Sequence, residues 1–410
     1  LEYQERASGK RGKNMISSKR SKKLFIDTEA LSTLAFVQEG LLAPVKGLMN
    51  EKEAIEVDKT KKYKGFPFPF SFILAPDGKK NKDTLKFVQK GEKLTFICDE
   101  KEVGYLIVDE VFKIDKKKRL INIYGSTDPT HPGVKNTMSR LGDLAVSGKY
   151  KVIYPPLKET IENLNSVIKK NKPQKISAIM LAANPLNRAH ERIIRQALAN
   201  SDLLILFLRK PFTTEGLSFE IRFKALSLFV ESFLPKNRAV IVPFENTYIF
   251  AGYNELILEA IMAKNYGCQE LIIGKNHAGL GLYYDKNQLN TVFDTLSGLD
   301  IKITTIDEYV YCDVCKTLVS NSICPHGQHH HINYHSESIR KLIMSGILPP
   351  PILVRKEITA NILASLYPKK IKDLQNIYYS LIPSSGLLED VSEEQFYIKL
   401  MELYQTSSLT

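Results

Sequence analysis

The sequence predicts a mixed α/β chain in which a β-rich N-terminal domain precedes a doubly wound parallel sheet and a helical C-terminal region. Lys175 to Ala182, Leu203 to Leu208, Ala239 to Val242 and Glu270 to Ile273 are apolar runs, the signature of strands buried on both faces. A helical segment separates each from the next, and that alternation places helices on both sides of a parallel sheet, with the ligand site beyond the carboxyl ends of the strands. Upstream of Pro155-Pro156 the pattern differs, because short β-rich runs alternate with Gly, Pro and Asp-Gly turns.

Taken in order, residues 1–23 carry Arg6, Lys10, Arg11, Lys13, Lys19, Arg20, Lys22 and Lys23 against Glu2 and Glu5, with no apolar run. Such a stretch reads as a solvated basic tail. Residues 24–170 form the β-rich domain, with strands expected at Phe70 to Leu74, Leu94 to Cys98, Gly104 to Val108 and Ile121 to Tyr124. A helix is expected over Thr28 to Gly40, where Ala30, Leu31, Leu34, Phe36 and Val37 approximate a 3.6 period. Residues 171–335 hold the parallel sheet, and 336–410 are mostly helical around Pro349-Pro350-Pro351.

With 410 residues, 43% apolar and 25% charged, the chain is long and apolar enough for conventional cores, which excludes wholesale disorder. The basic tail accounts for half of the net charge of +12. The remainder is spread over Lys-rich turns such as Asp115 to Arg119, which argues against a nucleic-acid partner and suits a phosphate-bearing small molecule. Leu1 opens the sequence and Met15 offers a second start. With no signal-like segment and no apolar run of 18 residues, a cytoplasmic protein without membrane contact is expected. Five cysteines, three of them close together, suit a metal site in a reducing compartment.

Three motifs carry chemistry. In Ile179 to Glu191, Ala182-Ala183-Asn184-Pro185 ends a strand and His190 falls in the first turn of the next helix. Free N–H groups and the helix dipole attract phosphate there, and His190 with Arg188 would steady a triphosphate; a local hydrogen-bonding histidine is the plainer reading. In the second motif, Gly274, Gly279 and Gly281 follow an apolar strand around Lys275, Asn276, His277 and Ala278. Glycines permit close backbone approach to a ligand, and equally an ordinary turn. The third is Cys312-x-x-Cys315 followed by Cys324-Pro325-His326, with five of the eight histidines between 326 and 335. Three thiolates and one imidazole complete a closed, structural zinc shell.

In this order the motifs resemble the sulfate adenylyltransferase (ATP sulfurylase) family over residues 24–360. Gly40 to Met49 is similar to its G-x-x-S-P-L-x-G-F-M segment, and Asp128 to Lys135 to its E-H-P-G-V segment. Asn265-Tyr266-Gly267-Cys268 leads into Gly274 to Gly281 as N-Y-G-C-T leads into G-R-D-H-A-G. The cysteine pattern resembles a zinc-bearing subset. Alignment on Arg340 favours His330 as fourth ligand, with His329 and His326 as rivals. The resemblance implies a PUA-like N-terminal domain, then a nucleotidyltransferase domain that joins sulfate to the α-phosphorus of MgATP. It also implies self-association. His190, Arg188 and Asn184 would act on the phosphates, while Gly274, His277, Ala278, Gly279 and Arg222 would hold the nucleotide.

Where the family reads Q-x-R-N-P-x-H-x-x-H, Leu181 replaces the Gln, Ala183 the Arg and Asn187 the first His. R-Y-A-G-P becomes Ile249 to Tyr253, H-P-L-x-G gives way to Phe207 to Pro211, and S-G-T becomes His335-Ser336-Glu337. A buried dianion needs charge-assisted donors, and Leu181 and Ala183 supply none. Arg209, Lys210 and Lys275 are the nearest substitutes in sequence. Three expectations therefore stand: an ATP sulfurylase with relocated cations, a nucleotidyltransferase with another acceptor, or a silent paralogue that senses nucleotide or assembles with a partner. No G-x-x-x-x-G-K-[ST] loop is present, which argues against a fused adenylyl-sulfate kinase.

Overall fold

In the computed structural model, which describes residues 22–210, 216–245, 254–275, 298–332, 334–368, 380 and 392–406, the N-terminal lobe is built in the order β1 (Lys22–Phe25), α1 (Thr28–Gln38), α2 (Glu51–Thr60), β2 (Lys62–Tyr63), β3 (Phe66–Pro67), β4 (Leu74–Pro76), α3 (Lys79–Phe87), β5 (Lys93–Cys98), β6 (Lys101–Lys113), α4 (Lys116–Tyr124), α5 (Pro132–Met138) and β7 (Leu141–Val152). Its five-stranded sheet runs β1-β5-β6-β7-β4, parallel at β1/β5 and antiparallel elsewhere. Two of the expected strands are corrected. Ile121 to Tyr124 is the end of helix α4, which Asp115 starts by accepting from Lys118 N–H and Gly125 stops in the left-handed conformation. Of Phe70 to Leu74, Leu74 alone enters a strand.

The second lobe follows as α6 (Pro155–Asn171), β8 (Ile176–Leu181), α7 (Arg188–Ala199), β9 (Leu203–Arg209), α8 (Phe219–Phe233), β10 (Ala239–Phe244), α9 (Glu255–Asn265), β11 (Glu270–Gly274) and β12 (Lys302–Ile306). Its sheet is entirely parallel in the order β10-β9-β8-β11-β12. The winding reverses between β8 and β11, and in such sheets ligands lodge in the crevice at that reversal. At the opposite, amino-terminal edge buried Glu270 pins three strands together through Lys175 at 2.8 Å, Ser177 Oγ at 3.0 Å and Thr304. Burial raises its pKa, but these partners outweigh it and hold the carboxyl down to about 2.

Beyond β12 a small sheet of β13 (Tyr309–Cys312), β14 (Thr317–Ser320) and β15 (His331–Ile332) carries the cysteines. The C-terminal helices are α10 (Ser336–Met344), α11 (Lys356–Leu366) and α12 (Glu393–Thr406). They share an apolar cluster with α7 and α8 on one face of the parallel sheet, through Ile194, Phe229, Ile339 and Ile358. The other face shares its core with the N-terminal lobe. Helix α1 is buried on every side from Ala30 to Val37, and Phe36 meets Phe244 of β10 at 6.1 Å between ring centroids. Asn265 Nδ2 donates across the junction to Leu41 O and Ala43 O, and Asn254 Nδ2 to Asn122 O and Ile123 O. No helix among the described residues is long and apolar enough to cross a membrane.

Candidate functional site at the strand reversal and the cysteine cluster

The β8–α7 turn and the end of β11 meet at the reversal of the parallel sheet, so the first two motifs are brought together by topology. Leu181 and Ala183 are buried, and Ala183 takes a φ of +44°. Non-glycine residues rarely adopt that conformation, and the strain sits where the chain leaves the sheet. Asn184 Oδ1 accepts from Leu217 N–H at 3.2 Å, which ties this turn to the loop before α8. Gly216 makes that approach feasible: at φ +100°, a Cβ would fall 2.7 Å from Asn184 Nδ2 and 3.3 Å from Arg340 Cδ. Arg340, on α10, is thereby brought beside Asn184.

His190 is set by a reciprocal cap. Asn187 Oδ1 accepts from His190 N–H at 3.1 Å, and His190 Nδ1 accepts from Asn187 N–H at 3.2 Å, so the imidazole does the work usually given to Glu or Gln in a capping box. With Nδ1 an acceptor, the proton of the neutral ring lies on Nε2. Burial pushes its pKa down to about 4, with Glu191 opposing. The ring therefore offers a hydrogen bond and no charge at neutral pH. Its folded pKa lies below the 6.5 of an unfolded histidine, so the unfolded chain takes up the proton first as pH falls and stability declines between about 6.5 and 4. Because Gln also completes a capping box, His190→Gln removes that titration and keeps the cap. Urea unfolding of the two proteins should show the wild type losing about 2 kcal/mol more than the variant between pH 7.5 and 5. Parallel pH dependences would contradict it.

Arg188 is committed to the C-terminal region. Its N–H donates to Leu353 O at 2.8 Å, its Nε to Pro351 O at 3.2 Å, and its Nη1 to Glu191 at 3.3 Å. Glu191 is buried and also accepts from Arg355, at 2.7 Å from Nη2. The triple-proline stretch is thus clamped over the start of α7. Arg222, 3% exposed, donates to Ala182 O at 2.5 Å and Arg209 O at 2.9 Å, bracing the carboxyl ends of β8 and β9. Its Nε has no partner among the described residues, and burial lowers its pKa.

The nearest substitute cations are spent on carboxylates. Arg209 reaches both Glu255 and Glu259 of α9, Lys210 reaches Glu245 at 2.7 Å, and Lys275 reaches Asp307. Glu245 in turn accepts from Tyr154 Oη at 2.5 Å. Neither Arg222 nor Arg340 has a carboxylate at ion-pair distance among the described residues. Sequence reading had no means to foresee the pairing, since Arg209 and Glu259 are 50 positions apart. Gly274 ends β11 at the reversal, whereas His277, Ala278 and Gly279 lie outside the described residues.

The cysteine cluster forms on the β13–β14 hairpin. Cys312 and Cys315 flank its tight turn, where Lys316 has φ +55°, and Cys324 and His326 come from the turn after β14. His326 Nδ1 lies 3.5, 3.2 and 3.6 Å from the sulfurs of Cys312, Cys315 and Cys324, and the latter two sulfurs are 3.9 Å apart. A tetrahedral ion with zinc–sulfur and zinc–nitrogen bonds of about 2.3 and 2.0 Å has edges of about 3.8 Å between sulfurs and 3.5 Å from sulfur to nitrogen. The donor set therefore fits a four-coordinate zinc with no open position. Cys315 N–H donates to Cys312 Sγ at 3.4 Å, and such backbone donors hold the Cys312 thiol below its usual range against the effect of burial. The fourth donor is His326 and not His330. His330 sits on a short 3-10 turn whose Nδ1 is 2.8 Å from Asp313 Oδ1, while His326 is two residues from Cys324 and shares its turn.

The hairpin is tied to both halves of the reversal. Asp307, which holds Lys275 at the end of β11, also accepts from Ser320 Oγ at 3.1 Å and from Ser322 Oγ. Tyr309 Oη donates to Gln196 of α7 at 3.2 Å.

Comparison with known proteins agrees with this architecture. A family model described as ATP-sulfurylase matches residues 156–365, just over half of the chain, and one described as PUA-like domain matches residues 3–155. The sulfate adenylyltransferase of Chloroflexus aurantiacus is 29% identical over 357 residues, covering 84% of this chain and 91% of its own. That of Carboxydothermus hydrogenoformans is 27% identical over 371 residues, covering 87% and 93%. A solved structure described as a hexameric APS kinase from Thiobacillus denitrificans aligns with a TM-score of 0.64 at 17% identity, a likeness of fold. The alignment covers 86% of this chain and 64% of that longer one.

Proposed function

This chain belongs to the ATP-sulfurylase family, with an N-terminal PUA-like domain, and on that premise we propose that it binds ATP at the β8–β11 reversal and has lost sulfate as its adenylyl acceptor. The distribution of paired and unpaired cations carries the reading. Arg188, Arg209, Lys210 and Lys275 each rest on a carboxylate, while Arg222 and Arg340 have none among the described residues. Two guanidiniums without a carboxylate at ion-pair distance among the described residues, the start of α7 and the Nε2–H of His190 suit the phosphates of one nucleotide. Among the described residues nothing comparable stands beside them for a second dianion, since Leu181 and Ala183 offer no side-chain donor. In this reading Asn184 and Arg188 position the turn and the strap, and Gly274 with His277, Ala278 and Gly279 borders the nucleotide. MgATP is the substrate form. Zinc is held by Cys312, Cys315, Cys324 and His326 in a structural role. The bound nucleotide serves another acceptor or a sensing role.

A second reading, sulfate adenylation by this chain, is favoured by the sulfate adenylyltransferases it resembles along nearly their whole length. Two assays on the purified protein separate the readings. Calorimetric titration with MgATP should show saturable binding, weakened at least tenfold, about 1.4 kcal/mol, in His190→Ala. ATP synthesis from adenylyl sulfate and pyrophosphate should be absent. Turnover would establish the second reading, and an absence of ATP binding would end both.

A further inference from the structure

The N-terminal lobe contains a groove of 830 Å³ that takes no part in the function proposed above. It lies between the loop leading into α2 and the β6–β7 pair, on a different sheet from the strand reversal. The register of that pair shifts between Val108 and Glu110, and a bulge of this kind bends the strand away and opens a concavity. Gly148 lets the two strands close up beside it, because a Cβ there would fall 2.0 Å from Ile107 O.

The chemistry of the wall is selective. Ser147 is 2% exposed, and its Oγ has no hydrogen-bond partner among the described residues. A buried hydroxyl left unpaired is unfavourable, and because Ser147 lines the groove, a turn of its side chain toward an acceptor seated there would relieve it. Lys46 on the loop side and Lys149 on the strand side are exposed, with no carboxylate at ion-pair distance among the described residues. The third lysine, Lys90, is paired with Asp109 at 2.7 Å, and the remaining acid, Glu53, accepts from Asn50 N–H. Leu48 and Tyr63 add buried apolar surface. The volume falls within the range of small-molecule sites.

We propose that this groove binds a small organic anion with a flat apolar body, its phosphate or carboxylate head set between Lys46 and Lys149 with Ser147 Oγ as donor. Binding here is independent of the ATP reading, because neither the residues nor the sheet is shared. The test titrates the full chain calorimetrically with phenyl phosphate and, separately, with benzoate. Saturable one-to-one binding is expected for at least one probe, and the tighter of the two identifies the head group. Lys46→Gln together with Lys149→Gln should weaken it at least tenfold, and Ser147→Ala about threefold, with MgATP affinity unchanged. Both lysines are exposed, so the double variant should fold as the wild type does, which circular dichroism checks. No saturation by about 10 mM of either probe, or binding indifferent to the double substitution, overturns the proposal.

Discussion

Cys324→Ser is expected to reduce the zinc content of the purified chain from one equivalent to near zero and to unfold the β13–β14–β15 sheet. The reason is the size of that sheet. Its strands have four, four and two residues, and its buried side chains are few, among them Val310, Cys312, Leu318 and Ser320. So small a unit has too little apolar surface to offset its chain entropy. Structural zinc in small modules contributes about 10 kcal/mol or more of apparent binding energy at neutral pH, and that energy is folding energy. Hydrogen exchange should therefore show residues 309–332 losing protection in the variant while β8 and β9 keep theirs. His326→Ala should behave in the same way, and His330→Ala should retain its metal, because His330 is engaged by Asp313. A wild-type preparation free of zinc, or equal metal content in Cys324→Ser, would refute the assignment.

Arg209→Met is the second large effect, and stability is expected to fall by about 3–5 kcal/mol. Burial works against the charge on Arg209, but Glu255 and Glu259 outweigh it and raise its pKa. Both carboxylates are themselves buried, at 3% and 0% exposure. Taking the guanidinium away leaves two like charges facing each other without their cation. Their pKa values must then rise above that of an unfolded glutamate, so the folded variant takes up protons first as pH falls. The deficit should accordingly shrink at lower pH. Adding Glu255→Gln and Glu259→Gln should recover most of the loss. Urea unfolding of the single and triple variants at pH 7.5 and 5.5 checks each part, and a single variant as stable as wild type would show that the ion pairs contribute little.

The pattern of apolar runs made the parallel sheet legible, since strands covered on both faces admit few polar residues. Ile121 to Tyr124 misled for the complementary reason. Four residues cannot distinguish a strand from the last turn of a helix, and the deciding residues are the caps Asp115 and Gly125 outside the run. At the site, the motifs showed which turns converge, because strand order brings β8 beside β11. They could not show which cations are free. Whether Arg209 faces a ligand or a carboxylate depends on Glu255 and Glu259, far along the chain, and the same is true of Lys210 with Glu245 and Lys275 with Asp307. The fourth donor of the cysteine cluster escaped alignment because three neighbouring histidines compete, and a three-residue turn decides among them.

The apolar cluster that runs without a break from α1 through Phe36 and Phe244 into α9 bears on how the chain comes apart. Neither lobe can be removed without exposing the side chains the other covers, so the two are expected to melt as one cooperative unit. The cysteine-bearing hairpin lies outside that unit, and the cluster on the α7–α8 face has its own set of contacts. Heating should therefore release the cysteine-bearing hairpin separately, while the junction between the lobes persists until the parallel sheet itself is lost.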